Sequence, residues 1–244
     1  MHTLGRLLVV RLVPQDDVCD RNKAYATHMG LKLAVWAETI RNAHDRPVSL
    51  CETLDYFARA RKEMAEQADS QNRDAFGLPR NIEMVTPISD QFAAYQERAR
   101  VVLGNAVTYT FVEQGIALTR LALSGTRLEW RHTQSLIIRD CIQQMDRLWR
   151  VAQAAALGDH LGILAQLHWW GAHAMPFRRG SASIVDASIR SLQISRGWPL
   201  REWRRRIAPD CEALVSTLSE FCELYGSLHQ PSCTERVRGW LTGR

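Results

Sequence analysis

Lysine is almost missing from this 244-residue chain: of 31 basic residues only Lys23, Lys32 and Lys62 are lysines, and the rest are arginine. Arginine matches phosphate and carboxylate geometry better than lysine does, although a GC-rich genome produces the same bias without any function. The net charge of +5 is modest; it helps hold an anionic partner but falls short of a nucleic-acid-binding signature. No run of eighteen apolar residues occurs, which excludes a membrane-spanning helix. The opening apolar run Leu7-Leu8-Val9-Val10 stops at Arg11, and Pro14-Gln15-Asp16-Asp17 does not resemble a signal-peptidase site, so the run reads as a short strand or buried segment. Cysteine is sparse and scattered (Cys19, Cys51, Cys141, Cys211, Cys222, Cys233), with no CxxC, which removes zinc-ligand spacing and points to reduced thiols. Cys51 and Cys141 have no basic neighbour in sequence that would make a thiolate nucleophile. The G-x-S-x-G, Walker A, HExxH and GxGxxG patterns are all missing, which leaves the common hydrolase, NTPase, zinc-protease and Rossmann readings without support.

What is present is helical periodicity. Hydrophobic content of 46% and a length of 244 residues suit a globular protein with a full core. Residues 22–42 and 49–71 show helical spacing, and the polar stretch 69–87, with Gly77-Leu78-Pro79 and Thr86-Pro87, reads as a linker. Beyond it, Ser89-Asp90 caps a helix with Phe92, Tyr95, Ala99 and Val102 inward. Residues 107–123 read as a further helix ended by Ser124-Gly125, and 132–156 as one with Leu136, Cys141, Met145, Leu148 and Ala152 on a stripe. Helices at 160–174, from Ser183 to Arg196 and at 210–228 follow, Ser183…Asp186 forming a capping box and Gly197-Trp198-Pro199 a stop. The expected fold is therefore mainly α: a smaller N-terminal helical region with its linker at 1–87 and a helical core at 88–244.

The chemistry concentrates in residues 161–200. A helix carrying Trp169 and Trp170 breaks at Met175-Pro176-Phe177, a basic turn of Arg178, Arg179 and Gly180 follows, and Ser181 to Ser183 open the next helix. Backbone N–H groups at such a start point outward and the helix dipole favours negative charge, so the turn can receive an anion. The plain alternative is a solvated helix cap with two surface arginines. His173 reads either as a general base or as a hydrogen-bonded histidine at a helix end. His168, between apolar neighbours, reads as packing. Arg201-Glu202-Trp203-Arg204-Arg205-Arg206 is the densest basic run; it reads either as a solvated loop or as a nucleic-acid track with tryptophan stacking on a base.

The order of parts over residues 132–225 resembles the core of the Fic (Fido) superfamily, whose motif is HPFx(D/E)GN(G/K)R. His168 stands eight residues before Pro176, and Pro176, Phe177 and Gly180 match the motif. The family's catalytic histidine falls on Met175, its acidic magnesium ligand on Arg179, and its asparagine, following glycine and arginine on Ser181, Ala182 and Ser183. Thr108 to Gly115 is a fainter echo of the family's inhibitory (S/T)xxxE(G/N) helix, with Tyr109 where the serine belongs. The resemblance implies a nucleotide or nucleotide diphosphate at Arg178, Arg179, Gly180, Ser181 and Ser183, with His173 as the remaining base if the helix end bends. Magnesium would lack its carboxylate, and Arg179 would neutralise a diphosphate in its place. It further implies a transferase using a nucleotide or nucleotide-sugar donor on a protein target, as a bacterial effector or toxin that is cytoplasmic or exported without a cleavable signal. The alternatives are a catalytically inactive Fic-like interaction module and, third, a nucleic-acid binder through Arg201 to Arg206 whose affinity falls steeply with salt.

Overall fold

A computed structural model describes residues 20–67, 73–89, 93–156, 158, 160–205 and 207–230. The Leu7–Val10 segment, Asp90 and Phe92 of the expected cap, Asp159, Arg206, Cys19 and Cys233 lie outside the described residues.

The core is built around one helix that is apolar on every side. Helix α5 (His160–Ala174) buries Leu164, Ala165, Leu167 and all residues from His168 to Ala174, as a helix hydrophobic all round must. Around it lie α4 (Ile138–Ala154), α6 (Ser181–Ser195), α7 (Pro209–Ala213) and α8 (Leu218–Tyr225). The first helices, α1 (Asp20–Asn42) and α2 (Leu50–Gln67), also pack against α6. Helix α6 thus meets both groups of helices, which explains its small buried residues Ala187, Ser188 and Ser191. Those serines satisfy their hydroxyls within the helix, Ser188 on the Ile184 carbonyl at 2.8 Å and Ser191 on that of Ser188 at 2.7 Å.

Helices α5 and α6 approach closely at Gly171. A Cβ there would stand 2.5 Å from Val185 Cγ1 and 3.2 Å from Met145 Cε, and both partners are buried. Gly171→Ala would gain about 1 kcal/mol of helix propensity, yet overpacking costs about 1–3 kcal/mol and the stiff valine has little room to turn. The expected net result is a loss of about 1 kcal/mol, read as a lowered urea midpoint; an unchanged or raised midpoint would mean the two helices separate freely.

The expectation of a mainly α chain does not hold. Strands β1 (Val85–Pro87), β2 (Thr108–Glu113), β3 (Ile116–Ser124) and β4 (Arg127–Arg131) form an antiparallel sheet in the order β1-β4-β3-β2, so the fold is mixed α and β. The helix expected at 107–123 is the β2–β3 hairpin. Glu113 pairs with Ile116 across a two-residue turn, Gln114-Gly115, in which both residues have positive φ (50° and 76°). Such a turn suits the twist of paired strands, and the β-branched and aromatic run Thr108 to Val112 favours a pleated surface. Gly125 opens the next turn, across which Ser124 pairs with Arg127, rather than ending a helix. The echo of an inhibitory helix at Thr108 to Gly115 falls with this correction, since those residues are strand and turn. Helix α3 (Ala93–Leu103) leans on β2 and β3, and Trp130 of β4 is buried with its indole N–H on the Leu214 carbonyl at 3.2 Å.

Candidate functional site

The turn between α5 and α6 is held in place from a distance. Residues 76–80 run alongside it: the Arg80 N–H donates to the Pro176 carbonyl at 2.8 Å, Arg178 N–H to Leu78 at 2.9 Å, and Gly77 N–H to Arg179 at 3.3 Å. The Arg80 side chain, 4% exposed, serves as a C-terminal cap for α5. Its guanidinium donates to the carbonyls of Met175 (2.9 Å), Ala174 (3.0 Å), Thr133 (2.6 Å) and Ile82 (3.3 Å). Helix-end carbonyls have no acceptor duty inside the helix, and a cation among them also meets the negative end of the dipole. Met175 itself has φ 38°, a left-handed conformation rare for a residue with a side chain.

Gly180 is the N-cap of α6 at φ 85°. The first intrahelical bond runs from Ile184 N–H to the Gly180 carbonyl at 2.9 Å, so the N–H groups of Ser181, Ala182 and Ser183 have no acceptor within the helix. Ser181 does not cap it. Its hydroxyl accepts from Phe177 N–H and donates to the Phe177 carbonyl, both at 2.9 Å, which locks the turn. The capping box expected at Ser183…Asp186 is replaced by an earlier start at Ser181; the Ser183 hydroxyl turns back to the Gly180 carbonyl at 2.9 Å.

Two arginines flank one ring over this helix start. The Arg61 guanidinium lies 4.9 Å and that of Arg179 5.0 Å from the centre of the Phe76 ring, within cation–π range. A Cβ on Gly180 would touch Arg61 Cγ at 3.3 Å and Phe76 Cδ1 at 3.4 Å, which puts both side chains directly against the N-cap. Arg178 reaches back to Asn81, and its Nε is buried with no hydrogen-bond partner. Arg179 and Gly180 are therefore gathered with Arg61 and Phe76, with Ser181 and Ser183 in the helix turn that follows, while Arg178 is held on Asn81. Arg61 and Phe76 come from α2 and from the segment read as linker, where no local pattern marks them.

His173 sits elsewhere. Its ring is 0% exposed and packs against Trp169 at 4.2 Å and Phe111 at 4.9 Å between centres. Burial pushes its pKa down to about 3, with the Ala213 backbone opposing and His132 assisting. The His173 carbonyl accepts from the hydroxyl of Thr133 at 2.7 Å. His132, 3% exposed and bonded to Thr86 at 2.8 Å, is likewise lowered to about 4 by burial and by the nearby Arg80.

His168 belongs to a second polar group. The Tyr225 hydroxyl and His168 Nδ1 share a hydrogen bond at 2.6 Å, and His168 Nε2 faces Asp186 at 3.3 Å. Asp186 also accepts from Arg190 Nε at 2.7 Å and from the Trp203 indole at 3.3 Å. Burial opposes the charge on Asp186, but Arg190 and His168 outweigh it and hold the carboxyl below its usual range. Trp203 is further stacked on His229 at 4.0 Å, so its ring is committed inside the protein rather than offered to a base. The thiol of Cys141 is pushed up to about 12 by burial, which leaves it unreactive. Among the described residues no group of three or more His, Cys, Asp or Glu could hold a metal ion.

Comparison with known proteins follows the second half of the chain. The avirulence protein family AvrB_AvrC matches residues 119–231. Avirulence protein B of Pseudomonas savastanoi pv. glycinea is 32% identical over 104 residues, a stretch covering 42% of this chain and 32% of that protein. The chain thus matches about a third of the length of this relative. These findings correct the resemblance to the Fic superfamily: the matching family is a distinct effector family. The positions that carry the Fic motif's chemistry, Met175 and Arg179 among them, are also the ones that depart from it.

Proposed function

We propose that this chain is a bacterial effector of the avirulence kind, exported to act on a host protein, and that it binds a nucleotide or nucleotide diphosphate at the start of α6. The observation that carries the ligand is the pair of guanidiniums, Arg61 and Arg179, set against Phe76 beside the Gly180 N-cap, where the first three N–H groups of α6 have no acceptor within the helix. Two fixed cations and a helix N-terminus supply the charge that a diphosphate needs, in a geometry that accepts several oxygens at once. Arg178, next in sequence to this pair, has a buried Nε with no hydrogen-bond partner. The turn is clamped by residues 76–80 and by Ser181, so little reorganisation precedes binding. The host-protein role draws on the avirulence match.

A second reading, a module that binds its host partner without transferring anything, is favoured by His173. The base expected from sequence is sealed between Trp169 and Phe111, where a target hydroxyl does not reach it. A catalytic His173 requires α5 to open at its C-terminal end.

Thermal unfolding in the presence of ADP and of nucleotide-sugars, with and without magnesium, tests the ligand. A ligand at a hundred times its Kd stabilises by about 2.7 kcal/mol, which for a chain of this size raises Tm by about 5 °C or more. The expected result is such a rise, independent of magnesium and lost in Arg179→Ala. No rise with any of these ligands at millimolar concentration would overturn the nucleotide and leave the binding module.

A further inference from the structure

The sheet and α3 enclose a groove of about 460 Å³ that is separate from the start of α6. Its walls carry Ser89, Gln96, Arg100, Thr126 and Arg127 over a floor that includes Ile88. Gln96 and Arg100 lie one turn apart on α3, while Tyr95 and Ala99 of the same helix are buried and fix its rotation. The opposite wall is the β3–β4 turn and the first residue of β4. Two hydrogen bonds hold the walls together: Ile88 N–H to the Leu128 carbonyl at 2.9 Å, and the Gln96 amide to the Ile88 carbonyl at 2.7 Å.

Among the described residues, the charge lining this groove is of one sign. Among the described residues no carboxylate lines it, and neither Arg100 nor Arg127 has a hydrogen-bond or ion-pair partner. Other arginines of the chain are engaged: Arg80 on four carbonyls, Arg98 on Glu212, Arg131 on Glu129 and Arg190 on Asp186. Two guanidiniums and two hydroxyl-bearing residues in one concavity form a donor-rich set in which no described carboxylate competes for the arginines. We propose that this groove binds a phosphate monoester between Arg100 and Arg127, with its organic group along the floor at Ile88. A dianionic phosphate offers three oxygens to two planar forks and two hydroxyls, where a carboxylate offers two. The volume lies within the range of small-molecule sites and exceeds what a bare phosphate fills, so it leaves room for the esterified group.

The monoester can be a free metabolite or a phosphorylated side chain of a partner protein, and calorimetric titration of the full chain separates these. The probes are inorganic phosphate, N-acetyl phosphoserine amide, and a phosphoserine peptide beside its unphosphorylated form. The ester is expected to bind more tightly than inorganic phosphate, and Arg100→Ala and Arg127→Ala each to weaken it about tenfold or more, while Arg179→Ala leaves it unchanged. Tighter binding of the phosphopeptide than of the amide assigns the site to a phosphorylated protein; equal binding assigns it to a small phosphorylated molecule. The proposal is overturned if the ester binds no better than inorganic phosphate, or if loss of both arginines leaves its affinity intact. Circular dichroism of the two variants, both altered at surface positions, separates lost binding from lost folding.

Discussion

Arg80→Ala lowers the unfolding free energy by about 3–5 kcal/mol, the cost of removing a buried charged donor and leaving its acceptors unpaired. Four carbonyls depend on this one guanidinium, from Ile82, Thr133, Ala174 and Met175. At about 2–4 °C per kcal/mol for a chain of this length, Tm falls by about 10 °C. Arg80→Lys recovers only part of the loss, because an ammonium cannot span four acceptors in the plane of a guanidinium. The same variant is expected to loosen Met175, whose left-handed backbone is held by the cap on its carbonyl. Urea unfolding of wild type, Arg80→Ala and Arg80→Lys decides the matter. A loss under 1 kcal/mol for the alanine variant would show that water replaces the guanidinium.

The second large effect is acid sensitivity well above the carboxylate range. Burial lowers His132 to about 4, His173 to about 3 and His229 to about 4, against about 6.5 in an unfolded chain. All three are therefore neutral when folded, and the unfolded state takes up more protons as pH drops. The stability they contribute is full above pH 6.5 and is lost as pH falls from there toward 4. At pH 5 each costs about 2 kcal/mol; three of them approach the whole stability of an ordinary domain. Asp210 works the other way, since burial pushes its carboxyl up and the fold gains as it protonates, but it is one group against three. Urea midpoints at pH 8, 6.5 and 5 should fall steeply over the last interval. His173→Phe, which suits a box of Trp169 and Phe111, should flatten that fall by about a third while leaving ligand binding at α6 unchanged. A midpoint constant from pH 7 to 5 would sink the argument.

The helices around Trp169–Trp170 and Met145 were legible because their apolar residues recur at helical spacing over many turns. The segment 107–123 was not. Val107, Phe111, Leu118 and Leu121 also fall near helical intervals, and the deciding signal, Gln114-Gly115 in a mirror-image turn, is a weak form of the hairpin signature. The basic turn at Arg178 to Ser183 was readable because a helix start is a local event. Its partners were not: Arg80 meets its carbonyls across as many as 95 positions, and Arg61 and Phe76 reach Gly180 only once α2 has packed on α6. The interior position of His173 escaped for a related reason. A histidine in the last turn of a helix looks accessible until the sheet that covers it, with Phe111 on β2, is recognised.

The clamp between residues 76–80 and the α5–α6 turn has an evolutionary consequence. The stretch shared with avirulence proteins begins at residue 119 and contains the turn, whereas Arg61, Phe76 and Arg80 stand outside it. The proposed anion cradle thus has one wall inside the matched stretch and the other outside it. Exchanging the wall outside the match would change which oxygens and which ring a ligand must present, while the helix start stays as it is. Related chains that keep the turn but differ before it would then share an appetite for anions and disagree about which one.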